Sequence, residues 1–145
     1  MNQLQKMIAL LRVLMGAMFL WAFVDKVFGF GFATTSSQAW IHGGSPTDGF
    51  LAHATHGPLA FVFQSMAGSS IVAILFMSGL LFVGVTMLTN KFVKWGTYAG
   101  IAMMALIYLS MFPPANNPLI DEHIIYIAVF MLIAANNKSS IASNS

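Results

Sequence analysis

The chain has 145 residues, of which 58% are hydrophobic and 7% charged, with a formal net charge of +2 and a mean hydropathy of +0.80. Soluble domains carry roughly 25% charged residues, so the composition points to an integral membrane protein and leaves no room in these residues for a soluble catalytic domain. Cysteine is absent, which excludes disulfides, thiolate metal sites, CxxC redox chemistry and CxxCH haem attachment within this chain.

At about 20 residues per span, the length fits an all-α, four-helix membrane bundle in a single domain covering 1–145. The first span is expected over 7–28, where Lys6 and Arg12 precede a long apolar run that ends at Asp25-Lys26. No small-x-small cleavage site follows the run, which argues against a signal peptide. At about 100° per residue, Gly16, Phe19 and Lys26 fall within about 40° of Arg12 on one helix face. Gly16 lets a neighbour approach closely, and Arg12 is placed to snorkel to lipid phosphates or to contact a bound cofactor.

From Gly29 to Ser70 the chain is too polar to span and too patterned to be a linker, so it is expected to fold over the outer face. Trp40 is a natural interfacial anchor. Ser45-Pro46-Thr47-Asp48 reads as an N-cap, a proline at N1 and an acid at N3 of a short helix. That helix would present His53 and His56 at i and i+3 before Gly57-Pro58 interrupts it. The run from Leu59 to Phe63 is too short to cross, which predicts an interfacial or re-entrant segment.

Further spans are expected over 71–88, 96–112 and 119–135, with a disordered tail over 136–145. Pro113-Pro114 ends the third. Before the fourth, Asp121, Glu122 and His123 stand in succession at the mouth of an apolar helix. Ionisable groups there usually have a partner or a task, although Pro118 and two acids also make a well-formed helix start.

Lys6, Lys91, Lys94 and Lys138 mark the termini and the loop after the second span as cytoplasmic. All four acids and all four histidines then lie outside with Lys26 as the only base, a formal −3 against +5 inside. A site can be built from Asp25, His53, His56, Glu122 and His123 if the first and fourth spans are adjacent and the loop folds over them. Tyr126, one turn below, would donate a hydrogen bond deeper in the bundle and, with Arg12, is an expected cofactor-binding residue. Histidine titrates near physiological pH and carboxylates accept protons, so the cluster suits proton release from a quinol or another redox substrate. Metal binding by His53, His56 and His123 is disfavoured, because histidine pairs at this spacing are frequent by chance.

The run Leu11-Arg12-Val13-Leu14-Met15-Gly16-Ala17-Met18-Phe19-Leu20 with Asp25-Lys26 resembles the first-helix pattern of the DoxX/DoxD membrane family. The run Asn116-Asn117-Pro118-Leu119-Ile120-Asp121-Glu122-His123-Ile124-Ile125-Tyr126 is similar to the last-helix signature of a bacterial and archaeal branch. The resemblance covers nearly the whole chain and implies a four-helix membrane protein. In the best-known branch, the DoxD subunit of thiosulfate:quinone oxidoreductase acts with a DoxA subunit to couple thiosulfate oxidation to quinone reduction. Other members are linked to redox-protective membrane complexes. No site residue is carried over from the family.

The expectation is therefore a quinone-linked oxidoreductase subunit of the cell membrane, acting on a sulfur compound at the outer mouth of the bundle. The alternative is a non-catalytic anchor or scaffold of a redox complex. Quinone is the expected cofactor or acceptor, with neither haem nor metal. Expected partners are the lipid bilayer and a second membrane or soluble redox subunit. Homo-oligomerisation stays open and nucleic acid is excluded. A thiosulfate dianion would be repelled by the outer −3 unless the histidines are protonated or a partner supplies bases.

Overall fold

The computed structural model describes residues 2–142, with side chains through Asn137. Helix α1 (Gln3–Phe28) starts from a reciprocal cap in which the Asn2 side chain accepts from Gln5 N and the Gln5 side chain accepts from Asn2 N. This satisfies two of the donors that every helix start leaves orphaned. It stops at Gly29, whose left-handed φ of 68° suits a glycine C-cap. A short α2 (Ala60–Gln64) lies in the connection to α3 (Ser70–Thr89). Three residues then lead to α4 (Val93–Ser110), and α5 (Glu122–Ala142) follows. No strand occurs among the described residues.

The four long helices close a ring in which α1 touches α3 and α5, and α4 touches α3 and α5. Their directions alternate. Gly16 of α1 lies against Met87 and Leu88 of α3, while Gly84 lies against Leu20, so α1 and α3 run antiparallel. Gly79 faces Met103, and Gly96 faces Thr86, which sets α3 against α4 in the same way. Gly100 abuts the ring of Phe130, and Tyr108 Oη donates to the Leu119 carbonyl at 2.6 Å, which reverses α5 on α4. A Cβ at Gly16 or Gly84 would come within 2.9 Å of the facing helix, so these glycines set how closely α1 and α3 approach.

The interior is apolar and rich in methionine. Phe19 and Phe130 meet edge to face at 5.6 Å with both rings buried, a contact worth roughly 0.5–1.5 kcal/mol beyond its area. Met77, Met87 and Val83 fill the space beside them. Thr86 and Thr97 are buried, and each hydroxyl donates to a carbonyl of its own helix. No buried side-chain nitrogen or oxygen among the described residues lacks a partner.

The outer faces are apolar too. Leu4, Met7, Leu10, Leu14 and Trp21 of α1 and Ile71, Ile74, Leu75 and Phe82 of α3 are exposed. These two helices are long and apolar enough to cross a membrane, and less than a quarter of the most apolar stretch of α1 is buried inside the protein. Wherever a hydrophobic helix packs as the core of a soluble domain, most of that surface is covered.

Two expectations are corrected. The tail from 136 is not disordered as far as Ala142, because α5 continues through it; no glycine or proline interrupts 132–142, and residues 143–145 lie outside the described ones. The helix expected to carry His53 and His56 on one face ends too early. It is a π-helical turn, Phe50–Ala54, with extended backbone at Thr55, so the two histidines leave on different elements. Ser45 does cap its approach, accepting weakly from Asp48 N at 3.3 Å.

Candidate functional site

The alternating helices bring all four acids and all four histidines to one end of the ring, with α1's C-terminus, the starts of α3 and α5, and the 29–69 segment. Lys6, Arg12, Lys91 and Lys94 lie at the other end. Only Lys26 stands among the acids.

At the start of α5, Asp121 acts as the cap. Its Oδ1 accepts from His123 N at 3.0 Å and Ile124 N at 3.4 Å, and its Oδ2 accepts from His123 Nδ1 at 2.7 Å. With the carboxylate as acceptor, Nδ1 carries the proton and Nε2 is the imidazole's remaining nitrogen. The pair is shielded, with the side chains 12% and 8% exposed for His123 and Asp121, whereas Glu122 is exposed. The Tyr126 ring lies edge-on to His123 at 6.5 Å and packs against the core. Asp121, Glu122 and His123 can each offer one donor atom within 4.8 Å of the others. Asp121 spends both oxygens on the helix start and the imidazole, so capping already accounts for its geometry.

Asp25 does something else. It is 1% exposed, and its carboxylate accepts from Ala33 N at 2.8 Å, Thr34 N at 2.9 Å and, weakly, Phe32 N at 3.4 Å. It pins the loop that leaves α1. His56 Nε2 is 2.9 Å from the Pro113 carbonyl, and its backbone N donates to Ser110 O, tying the 29–69 segment to the end of α4. Gly57 beside it has φ +82°, and any Cβ there would strike the Phe112 carbonyl, so only glycine fits. His53 is exposed on its short turn. Among the described residues, no hydrogen bond, ion pair or ring contact joins Glu122 or His123 to Asp25, His53 or His56. The five residues expected to form one site share an end of the molecule without forming one bonded constellation.

Sequence reasoning passed over Asp121 as a site member and missed the cavity beside Lys26. This cavity, about 510 Å³, lies between α1, α3, α4 and the Pro46–Leu51 turn, and Lys26 is the only charged residue on its wall. Phe50, Leu51, Met66, Phe76 and Met103 line it, with Thr47 and Ser110 adding hydroxyls. The Lys26 ammonium sits 5.9 Å from the centre of the Phe76 ring. Among the described residues it makes no hydrogen bond or ion pair, because Asp25 gives its carboxylate to the loop. The available signal was Lys26 as the one base among outer acids.

Arg12 is at the opposite end, where its guanidinium donates to the Met87 carbonyl. It therefore stands apart from Tyr126's end of α5, so those two do not share one cofactor site. No family model, curated protein sequence or solved structure matches the chain.

Proposed function

We propose that this chain is a multi-pass membrane protein that binds a quinone in the Lys26 cavity as a subunit of an oxidoreductase. The membrane reading rests on the exposed apolar faces and on aromatic residues at both ends. Trp21, Phe28, Phe30 and Phe32 stack at one end, and Trp95 with Tyr98 at the other, where interfacial belts are expected. A 20-residue helix such as α3 is about 30 Å long, the thickness of a bilayer core. On this reading α4 and α5 cross as well. The basic end, where α1 begins and α5 ends, then faces the cytoplasm.

The observation that carries the quinone reading is an apolar chamber with one unpaired ammonium on its wall. Pockets of roughly 300–1,000 Å³, mostly apolar with few polar groups, bury ligands and orient them. Lys26 would hold a quinone carbonyl by a charge-assisted hydrogen bond, and Phe50, Phe76 and Met103 would enclose the ring. A quinone supplies the capacity to take up two electrons and two protons. A cation beside the carbonyl favours the more electron-rich form, as preorganised positive charge does wherever negative charge develops. Without cysteine, the chain offers no dithiol relay, so electrons come from a donor or a second subunit. With thiosulfate as that donor, two thiosulfates joined as tetrathionate release the two electrons that one quinone accepts. The resemblance to the DoxX/DoxD proteins leads to the same class of reaction.

The test is equilibrium binding of a short-chain quinone to the purified protein in micelles, wild type against Lys26→Met. Loss of one charge-assisted hydrogen bond, about 1.5 kcal/mol, weakens binding roughly tenfold. Equal affinity in the variant, or none in the wild type, removes the proposal. A chain that binds no quinone yet co-purifies with a soluble redox protein is the scaffold of the alternative reading.

A further inference from the structure

The other end of the ring holds a second cavity of opposite character. It measures about 260 Å³ and is lined by Gln5, Arg12, Asn90, Asn136 and Asn137 over an apolar floor that includes Ile133. One cation and four carboxamides line it and, among the described residues, no aspartate or glutamate does, because all of these are at the far end. Arg12 spends one N–H on the Met87 carbonyl, in the last turn of α3. That bond fixes the guanidinium across the gap between α1 and α3. A guanidinium has five N–H donors, and among the described residues no carboxylate reaches this one. Gln5 uses its side-chain oxygen as acceptor from Asn2 N, so its NH2 group is the part left to donate. The cavity is thus positive and rich in donors, as a tetrahedral oxyanion requires.

We infer that this cavity binds a phosphate group at the cytoplasmic end of the protein. Two sources offer that chemistry, the headgroup of an anionic phospholipid and free inorganic phosphate. The site is independent of the quinone cavity, since no residue lines both.

The discriminating variant is Gln5→Glu. It keeps the oxygen that accepts from Asn2 N, and so the helix start, while placing a negative charge on the cavity wall. Native mass spectrometry of the protein from micelles then compares retention of phosphatidylglycerol with that of phosphatidylcholine. In parallel, thermal melting is followed with inorganic phosphate against chloride at equal ionic strength. In the wild type, phosphatidylglycerol is expected to be held at least about tenfold more tightly than phosphatidylcholine. In Gln5→Glu that preference should fall about tenfold, with Arg12→Gln as the second variant. Protection by inorganic phosphate, lost in Gln5→Glu and without any lipid preference, supports the site with the free anion as its source. A wild type that prefers neither ligand, or a Gln5→Glu protein of unaltered helix content that keeps the preference, overturns the inference.

Discussion

Replacing Asp25 separates the two roles that its position allows, proton carrier and loop pin. The structure supports the pin. In Asp25→Ala, the bond to Thr34 N disappears at a buried residue, where a hydrogen bond to a charged acceptor is worth about 1.5–3 kcal/mol. The bond to Ala33 N is lost at an exposed residue, where water replaces it and the loss is about 0.5–1 kcal/mol. The 3.4 Å approach of Phe32 N adds little. The total is about 2–4 kcal/mol. Asp25→Asn keeps the oxygen that Ala33 N and Thr34 N share but loses the charge and turns an NH2 group toward Phe32 N, so it should cost about half as much. Equilibrium unfolding in mixed micelles measures both values. Limited proteolysis between Phe30 and Ala39 reports the loop directly, and cleavage should quicken in the same order. If both variants unfold like the wild type and the loop resists protease, yet quinone turnover is abolished, Asp25 is a proton carrier and the pin argument is wrong.

Topology is checked by single cysteines in intact cells: Ser36→Cys and Asn117→Cys should react with an impermeant maleimide from outside, and Asn90→Cys only after lysis. The reverse pattern would invert the charge argument and put the Lys26 cavity at the cytoplasmic face. Asp121→Ala removes a helix cap worth about 1 kcal/mol and frees the His123 imidazole, so the unfolding free energy in micelles should fall by about that amount. If it falls by less than about 0.3 kcal/mol, the capping bonds are not what holds that helix start.

The long helices were legible because their signals are local. Apolar runs, the cap at Ser45 and the breakers around Pro113 each act within a few residues, and charge asymmetry between loops sorted the ends without any knowledge of packing. What could not be read depends on where backbone groups meet. Asp25 finds its donors seven to nine residues downstream, and nothing in Phe32, Ala33 or Thr34 as side chains announces that their N–H groups will converge. His53 and His56 have helical spacing, but extended backbone at Thr55 separates them and the Pro113 carbonyl claims the second. Spacing alone cannot foresee a competing acceptor 57 residues away.

The same bonding explains why Lys26, rather than its acidic neighbour, carries the proposed chemistry. Adjacent Asp and Lys at the end of an apolar helix read as a compensated pair, with no net charge to offer a ligand. The Asp25 carboxylate accepts from the backbone donors of its own loop and makes no ion pair with Lys26, so its negative charge goes to closing the loop. The lysine keeps the face of Phe76. An ammonium placed in this way has hydrogen-bond donors unclaimed by the protein. The loop that Asp25 organises also leads to the Pro46–Leu51 turn that walls the cavity. Loosening Asp25 should therefore weaken quinone binding through the wall, with Lys26 intact, while Lys26→Met should weaken it with the loop intact.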